Sequence, residues 1–182
     1  VKNLIRALIE RFPSTAKLNS TFALILLVIH TWSVWQFLYR LPSYLMYLDL
    51  LNLLAVFAYY MAFAFVESII LLVLFGMIAI ILPKNWYADH FEAVNLPIVL
   101  GMAVSAAKYQ QQIGNTYSGI SSILTWFGFT FLIVLSLALI FGIIGPLRKL
   151  SGKVMERISI MSYLYIPIGL FSLLVVVFRN LV

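Results

Sequence analysis

The chain has no cysteine among its 182 residues. That excludes disulfides, thiolate-bound zinc and Cys-held iron–sulfur clusters. Charge is nearly as scarce: 10% of residues are Asp, Glu, Lys or Arg, where a soluble domain carries roughly 25%. Histidine occurs only twice, as His30 and His90. A bis-His haem needs two such residues at membrane depth, and His90 falls in a polar loop. The spacings G-x-S-x-G, H-E-x-x-H and the phosphate-binding P-loop are all absent, and no paired acids lie at a membrane surface. Catalysis therefore has no visible machinery, and the sequence itself requires no cofactor.

Apolar residues fill the space these absences leave. They make up 64% of the chain, so its solvent is lipid. The expected fold is all-α: a polytopic integral membrane helical bundle, formed as a single membrane domain over 1–182. Expected spans are 18–39, 53–82, 97–113, 119–144 and 160–178. "VKNLIRALIERF" is no cleavable signal, because charged and apolar residues alternate along it. Val1, Leu4, Ile5, Leu8, Ile9 and Phe12 share one helical face. This predicts an amphipathic interfacial helix over 1–13, ended by Pro13. "TWSVWQFLYR" closes the first span with aromatic anchors, followed by Pro42. "LPSYLMYLDLLNLL" reads as a second interfacial segment that keeps Asp49 and Asn52 near water. "KNWYADHFEAVN" reads as a polar loop with Trp86 and Tyr87 as interface anchors, and "GNTYSG" reads as a turn. In "GPLRKLSGKVMERI", Leu147, Leu150, Val154 and Ile158 recur at helical spacing beside basic residues, so this stretch also suits the membrane surface. Pro167 should kink the last span.

Eight of the twelve basic residues lie in two clusters: Lys2, Arg6, Arg11 and Lys17, then Arg148, Lys149, Lys153 and Arg157. Beside apolar segments they read as topology signals and binders of anionic headgroups, so the net charge of +6 does not imply nucleic acid. Both clusters should be cytoplasmic, which requires an even number of crossings between them. One arrangement has 53–82 and 97–113 each crossing once. In the other, 45–82 turns back as a hairpin near Val66–Ser68 and 97–113 stays outside. The first is preferred, since no Gly or Pro marks such a turn. Five spans follow, with the N-terminus cytoplasmic and the C-terminus outside, in the expected setting of a prokaryotic plasma membrane.

Inside this frame, "AFVESIILL" places a carboxylate, Glu67, near mid-membrane, where a charge is costly and by default functional. His30 falls at a similar depth. A neutral acid buried against His30 and sharing a hydrogen bond with it would satisfy both groups, so the pair is the candidate ion or proton site. His30 alone, flanked by Trp, could instead ligate a pigment metal or haem iron. Asp89, His90 and Glu92 form a weak metal pattern and, with Asp49 and Asn52, are the interfacial polar candidates. Ala55, Ala58 and Ala62, and Gly101 with Ser105, allow close helix packing. The expected function is that of a non-catalytic membrane protein, a subunit of a larger assembly. Its partners would be membrane lipids and another membrane protein or a second copy. The alternatives are a small transporter or channel with a protonatable Glu67, a lipid-handling enzyme, and a pigment- or haem-binding subunit.

Overall fold

A computed structural model describes residues 12–113 and 120–181 of the chain. Among these residues there are α-helices and one 3-10 turn, and no strand. The helices are α1 (Thr15–Tyr47), α2 (Leu50–Ile81), α3 (Phe91–Ile113), α4 (Ile120–Ile143), α5 (Gly145–Ile158) and α6 (Ser162–Leu181); Ser159–Met161 joins the last two as the 3-10 turn. Five stretches are long and apolar enough to cross a membrane: α1, α2, most of α3, most of α4, and Gly145–Leu181, whose apolar part is α6. The expected surface helix, up to residue 11 and with Lys2, Arg6 and Arg11, lies outside the described residues. So does the expected turn at 114–119.

The hairpin arrangement is overturned. α2 runs unbroken for 32 residues, about 48 Å at 1.5 Å per residue. That exceeds a hydrocarbon core of ~30 Å, so in a bilayer it must tilt or protrude. The second interfacial segment is also corrected. Residues 45–47 finish α1, and only Leu48 and Asp49 separate it from α2. Pro42 does not end α1, because the turns beyond it are gripped from the side. Tyr44 lies 6.0 Å from the Phe37 ring, and its hydroxyl is 3.1 Å from that of Tyr60.

Two compact units make up the fold. The first comprises Leu18–Met77 and Arg157–Val182. In it, α1 and α2 run antiparallel: Phe22 meets Phe65, while Phe37 meets Phe57 and Tyr60 edge-on at 5.1 and 5.9 Å. α6 lies antiparallel to α2, with Gly169 beneath Phe65 and Arg179 bonded to Asn52. α1 and α6 therefore run the same way. Ala55, Ala58 and Ala62 are all buried, as expected of small residues at helix contacts.

The second unit comprises Val1–Lys17 and Ile78–Glu156. α3 and α4 pack antiparallel in steps of seven or eight residues. Val94 faces Gly142, Gly101 faces Val134, and Tyr109 faces Phe127. A near-heptad repeat keeps one seam of each helix on the other. α3 begins at Phe91, six residues before the expected Pro97, because its first turns are buried: Phe91, Ala93, Val94 and Asn95 are each at most 6% exposed. α5 forms a helix over the basic stretch. Ser151 and Met155 are buried, whereas Leu150 points outward.

Candidate functional site

The main candidate lies in the groove between α1 and α2. A cleft of about 400 Å³ is lined by Trp32, Ser33 and Gln36 from α1 and by Tyr59, Tyr60, Phe63, Ala64 and Glu67 from α2. Helical spacing builds it. Glu67, Ala64, Phe63 and Tyr60 stand at i, i−3, i−4 and i−7, on one stripe of α2; Ser33 and Gln36 stand one turn apart on α1. Ala64 leaves the space that a larger side chain would fill. Glu67 lies 17 residues from Leu50 and 14 from Ile81, close to the middle of α2.

Glu67 is exposed, and among the described residues it makes no hydrogen bond. The expectation that it is buried against His30 is therefore corrected. His30 is fully buried. Its Nδ1 lies 3.0 Å from the Leu26 carbonyl of its own helix, and its ring stands 5.0 Å from that of Tyr165 on α6. The physical reason is rotation about the helix axis. Each residue turns the side chain by ~100°, so His30 faces α6 while Trp32, Ser33 and Gln36 face Glu67. The His30 Nε2 is enclosed and has no partner among the described residues, so a macrocycle there would first have to part the helices.

From the cleft, polar groups continue toward the α1–α2 turn. The Tyr60 hydroxyl meets that of Tyr44, and the Arg40 side chain reaches both phenols. The Tyr59 hydroxyl accepts a hydrogen bond of 2.8 Å from Asn180 Nδ2. At the turn, Asp49 caps α2: its Oδ1 accepts from the backbone N–H of Asn52 at 2.8 Å. The Asn52 Oδ1 in turn accepts from Arg179 Nη2 at 2.8 Å. Asp49 and Asn52 thus have structural duties at this end.

The other polar candidates lie in the second unit, around the turn that joins α2 to α3. Lys17 Nζ donates to the carbonyls of Ala88 and Asp89 at 3.1 and 2.8 Å. Arg148 Nη1 lies 3.4 Å from Nδ1 and 3.2 Å from Nε2 of His90, and only one of these divergent lone pairs can accept at a time. Its Nη2 also reaches the Ile143 carbonyl, at the C-terminus of α4, where a cation is favoured. Asp89 is exposed, and Glu92 lies beside Gly152 of α5. No group of three or more His, Asp or Glu side chains among the described residues is placed to hold a metal ion. Trp86 is exposed, whereas Tyr87 is buried. It packs edge-on against Phe91, and its hydroxyl donates to Asn95 Oδ1 at 2.8 Å. Burial pushes its phenol up to about 12 and outweighs the opposing effect of the Asn95 bond. Lys149, Lys153 and Arg157 are exposed, free to meet headgroups.

Of the two named for an ion or proton site, only Glu67 lies in the cleft. Trp32, Ser33, Gln36, Tyr59, Tyr60 and Phe63 were not singled out from the sequence. The α2 stripe back from Glu67 was a readable signal; the choice of α1 face opposite it was not. A carboxylate beside a hydroxyl, an amide and four aromatic rings can hold a cation or exchange a proton. No protein-family model, curated protein or solved structure matches the chain.

Proposed function

We propose that the chain is a small non-catalytic integral membrane protein of the transporter or channel type, working through a cation or proton site at Glu67. One observation carries this reading: a carboxylate stands half-way along an apolar helix, on an open cleft, with no hydrogen bond among the described residues. At membrane depth such a group costs several kcal/mol unless a counter-charge, a proton or water meets it. The polar groups from Ser33 and Gln36 to Tyr60, Tyr44 and Arg40 supply a route of approach from one membrane end.

The test is flux in proteoliposomes, with proton and alkali-cation gradients read separately. Glu67→Gln keeps the shape and removes the charge. Flux should fall on the order of tenfold or more, as for loss of a charge-assisted contact. Equal flux in the variant and the wild type would remove Glu67 from the mechanism.

A second reading keeps the chain as a subunit of a larger assembly, with the counter-charge supplied by a partner's side chain. The same exposure of Glu67 favours it, because a neighbouring helix laid in the groove would close the cleft. Native mass spectrometry from mild detergent separates the two readings. A partner or second copy whose retention depends on Glu67 supports the assembly; a monodisperse monomer that conducts supports the transporter.

A further inference from the structure

The cleft is specific about the kind of cation it suits. A bare metal ion wants six or more oxygen ligands at 2.3–2.6 Å for calcium, or a tight octahedron for magnesium (roughly, by ion type). Here the side-chain oxygens come from Glu67, Ser33 and Gln36, with the two phenols, and the space is about 400 Å³. Gln36 and both phenols already hold other contacts. What the walls offer in quantity is aromatic surface: Trp32, Tyr59, Tyr60 and Phe63. Since each phenol hydroxyl is engaged elsewhere, Tyr59 and Tyr60 give the cleft chiefly their rings. Rings attract weakly hydrated cations through their quadrupoles, Trp most strongly. A volume of this size also falls in the ordinary range for small organic ligands, ~300–1,000 Å³.

From this placement we infer that the α1–α2 cleft is a binding site for a lipophilic organic monocation, of the quaternary ammonium or phosphonium kind. Glu67 supplies the counter-charge and Trp32, Tyr59, Tyr60 and Phe63 form the aromatic cage. Such a ligand reaches the cleft through lipid or from the end at Arg40. Arg40 itself is tied to Tyr44 and Tyr60 and does not line the cleft, so its charge bounds the site without filling it. The inference rests on the proposed cation site and names its ligand class.

The test is binding of tetraphenylphosphonium to the full chain in lipid nanodiscs, by titration calorimetry, with empty nanodiscs subtracted. The wild type should bind at one saturable site. Glu67→Gln should weaken binding on the order of tenfold or more. Trp32→Leu, which keeps apolar bulk and removes the ring, should weaken it about 3- to 30-fold. An uncharged analogue, tetraphenylmethane or triphenylphosphine, should show no saturable binding. Each variant is checked for helicity and monodispersity, and Ser33→Phe, which fills the cleft without touching the carboxylate, serves if Glu67→Gln does not fold. The inference is overturned if the uncharged analogue binds equally, or if neither Glu67→Gln nor Ser33→Phe alters the affinity. It is also overturned if the phosphonium fails to bind while flux of protons or alkali cations still depends on Glu67; the proposed function then survives with a different ligand. Loss of both signals removes both.

Discussion

Burial makes Tyr87 a reporter of the turn that closes α2. The side chain is 2% exposed and its phenol is pushed from 10.0 to about 12, because the buried anion would lose its hydration. Below about pH 10 both folded and unfolded chains carry the proton, and the contribution to stability is complete. Between about 10 and 12 the unfolded chain gives up the proton and the folded chain keeps it, so stability falls as pH rises. At about 1.4 kcal/mol per pKa unit the whole loss is about 2–3 kcal/mol. Comparing denaturant unfolding of the wild type with Tyr87→Phe isolates this effect from lysine titration. The stability difference should move against the wild type by that amount from about pH 9 to 12; a constant difference would count against the buried phenol. Glu67 teaches a different lesson at this scale. Depth along a helix follows from counting residues, which is why His30 and Glu67 are expected at a similar depth. Azimuth depends on which neighbour each helix finds, and α6, last in sequence, is what draws His30 away.

At the scale of elements, two glycines make opposite tests of packing. A Cβ on Gly169 would overlap the Phe65 side chain, whose Cγ and Cβ lie 2.5 and 2.8 Å from it. A Cβ on Gly128 of α4 meets nothing within 4 Å. Gly169→Ala should therefore destabilise by about 1–3 kcal/mol, the usual cost of overpacking. Gly128→Ala should be neutral or stabilise by up to ~1 kcal/mol through helix propensity. Thermal unfolding in one detergent measures both; equal Tm values for the two variants would contradict the α2–α6 contact. The existence of the helices was plain from long apolar runs, and Pro83 does follow the end of α2, but two helices run past prolines that read as boundaries. Pro42 and Pro97 both lie inside helices. Each removes one backbone donor, but contacts beyond it hold the helix: Tyr44 to Tyr60 past Pro42, and Val94 and Asn95 ahead of Pro97. Such contacts link residues far apart in sequence, and no local pattern announces them. The cleft was half legible for the same reason. Its α2 stripe is local, whereas its α1 wall is tertiary.

At the scale of the whole molecule, hydrogen bonds fix which helix ends belong together. Lys17, at the start of α1, bonds the carbonyls of Ala88 and Asp89, and His90 of the same turn meets Arg148. The turn between α2 and α3 therefore lies beside Lys17 and the first turn of α5. Arg179 and Asn180 of α6 bond Asn52 and Tyr59 near the other end of α2, beside the α1–α2 turn. Five apolar stretches are long enough to cross a membrane, for which an odd number of crossings is the expectation. The positive-inside bias then predicts that the end with Lys17 and Arg148 is cytoplasmic. Because the chain has no cysteine, single-cysteine labelling in intact vesicles reads this directly. The label sites must be open, which excludes Ala88 at 3% exposure and Ser151 at 0%. Asn85, Lys153 and Ser43 are all exposed. Asn85→Cys and Lys153→Cys should react only from the cytoplasmic face, and Ser43→Cys only from the opposite face. If Asn85→Cys and Ser43→Cys react from the same face, α2 does not cross the bilayer, and Glu67 loses the membrane depth on which its proposed role depends.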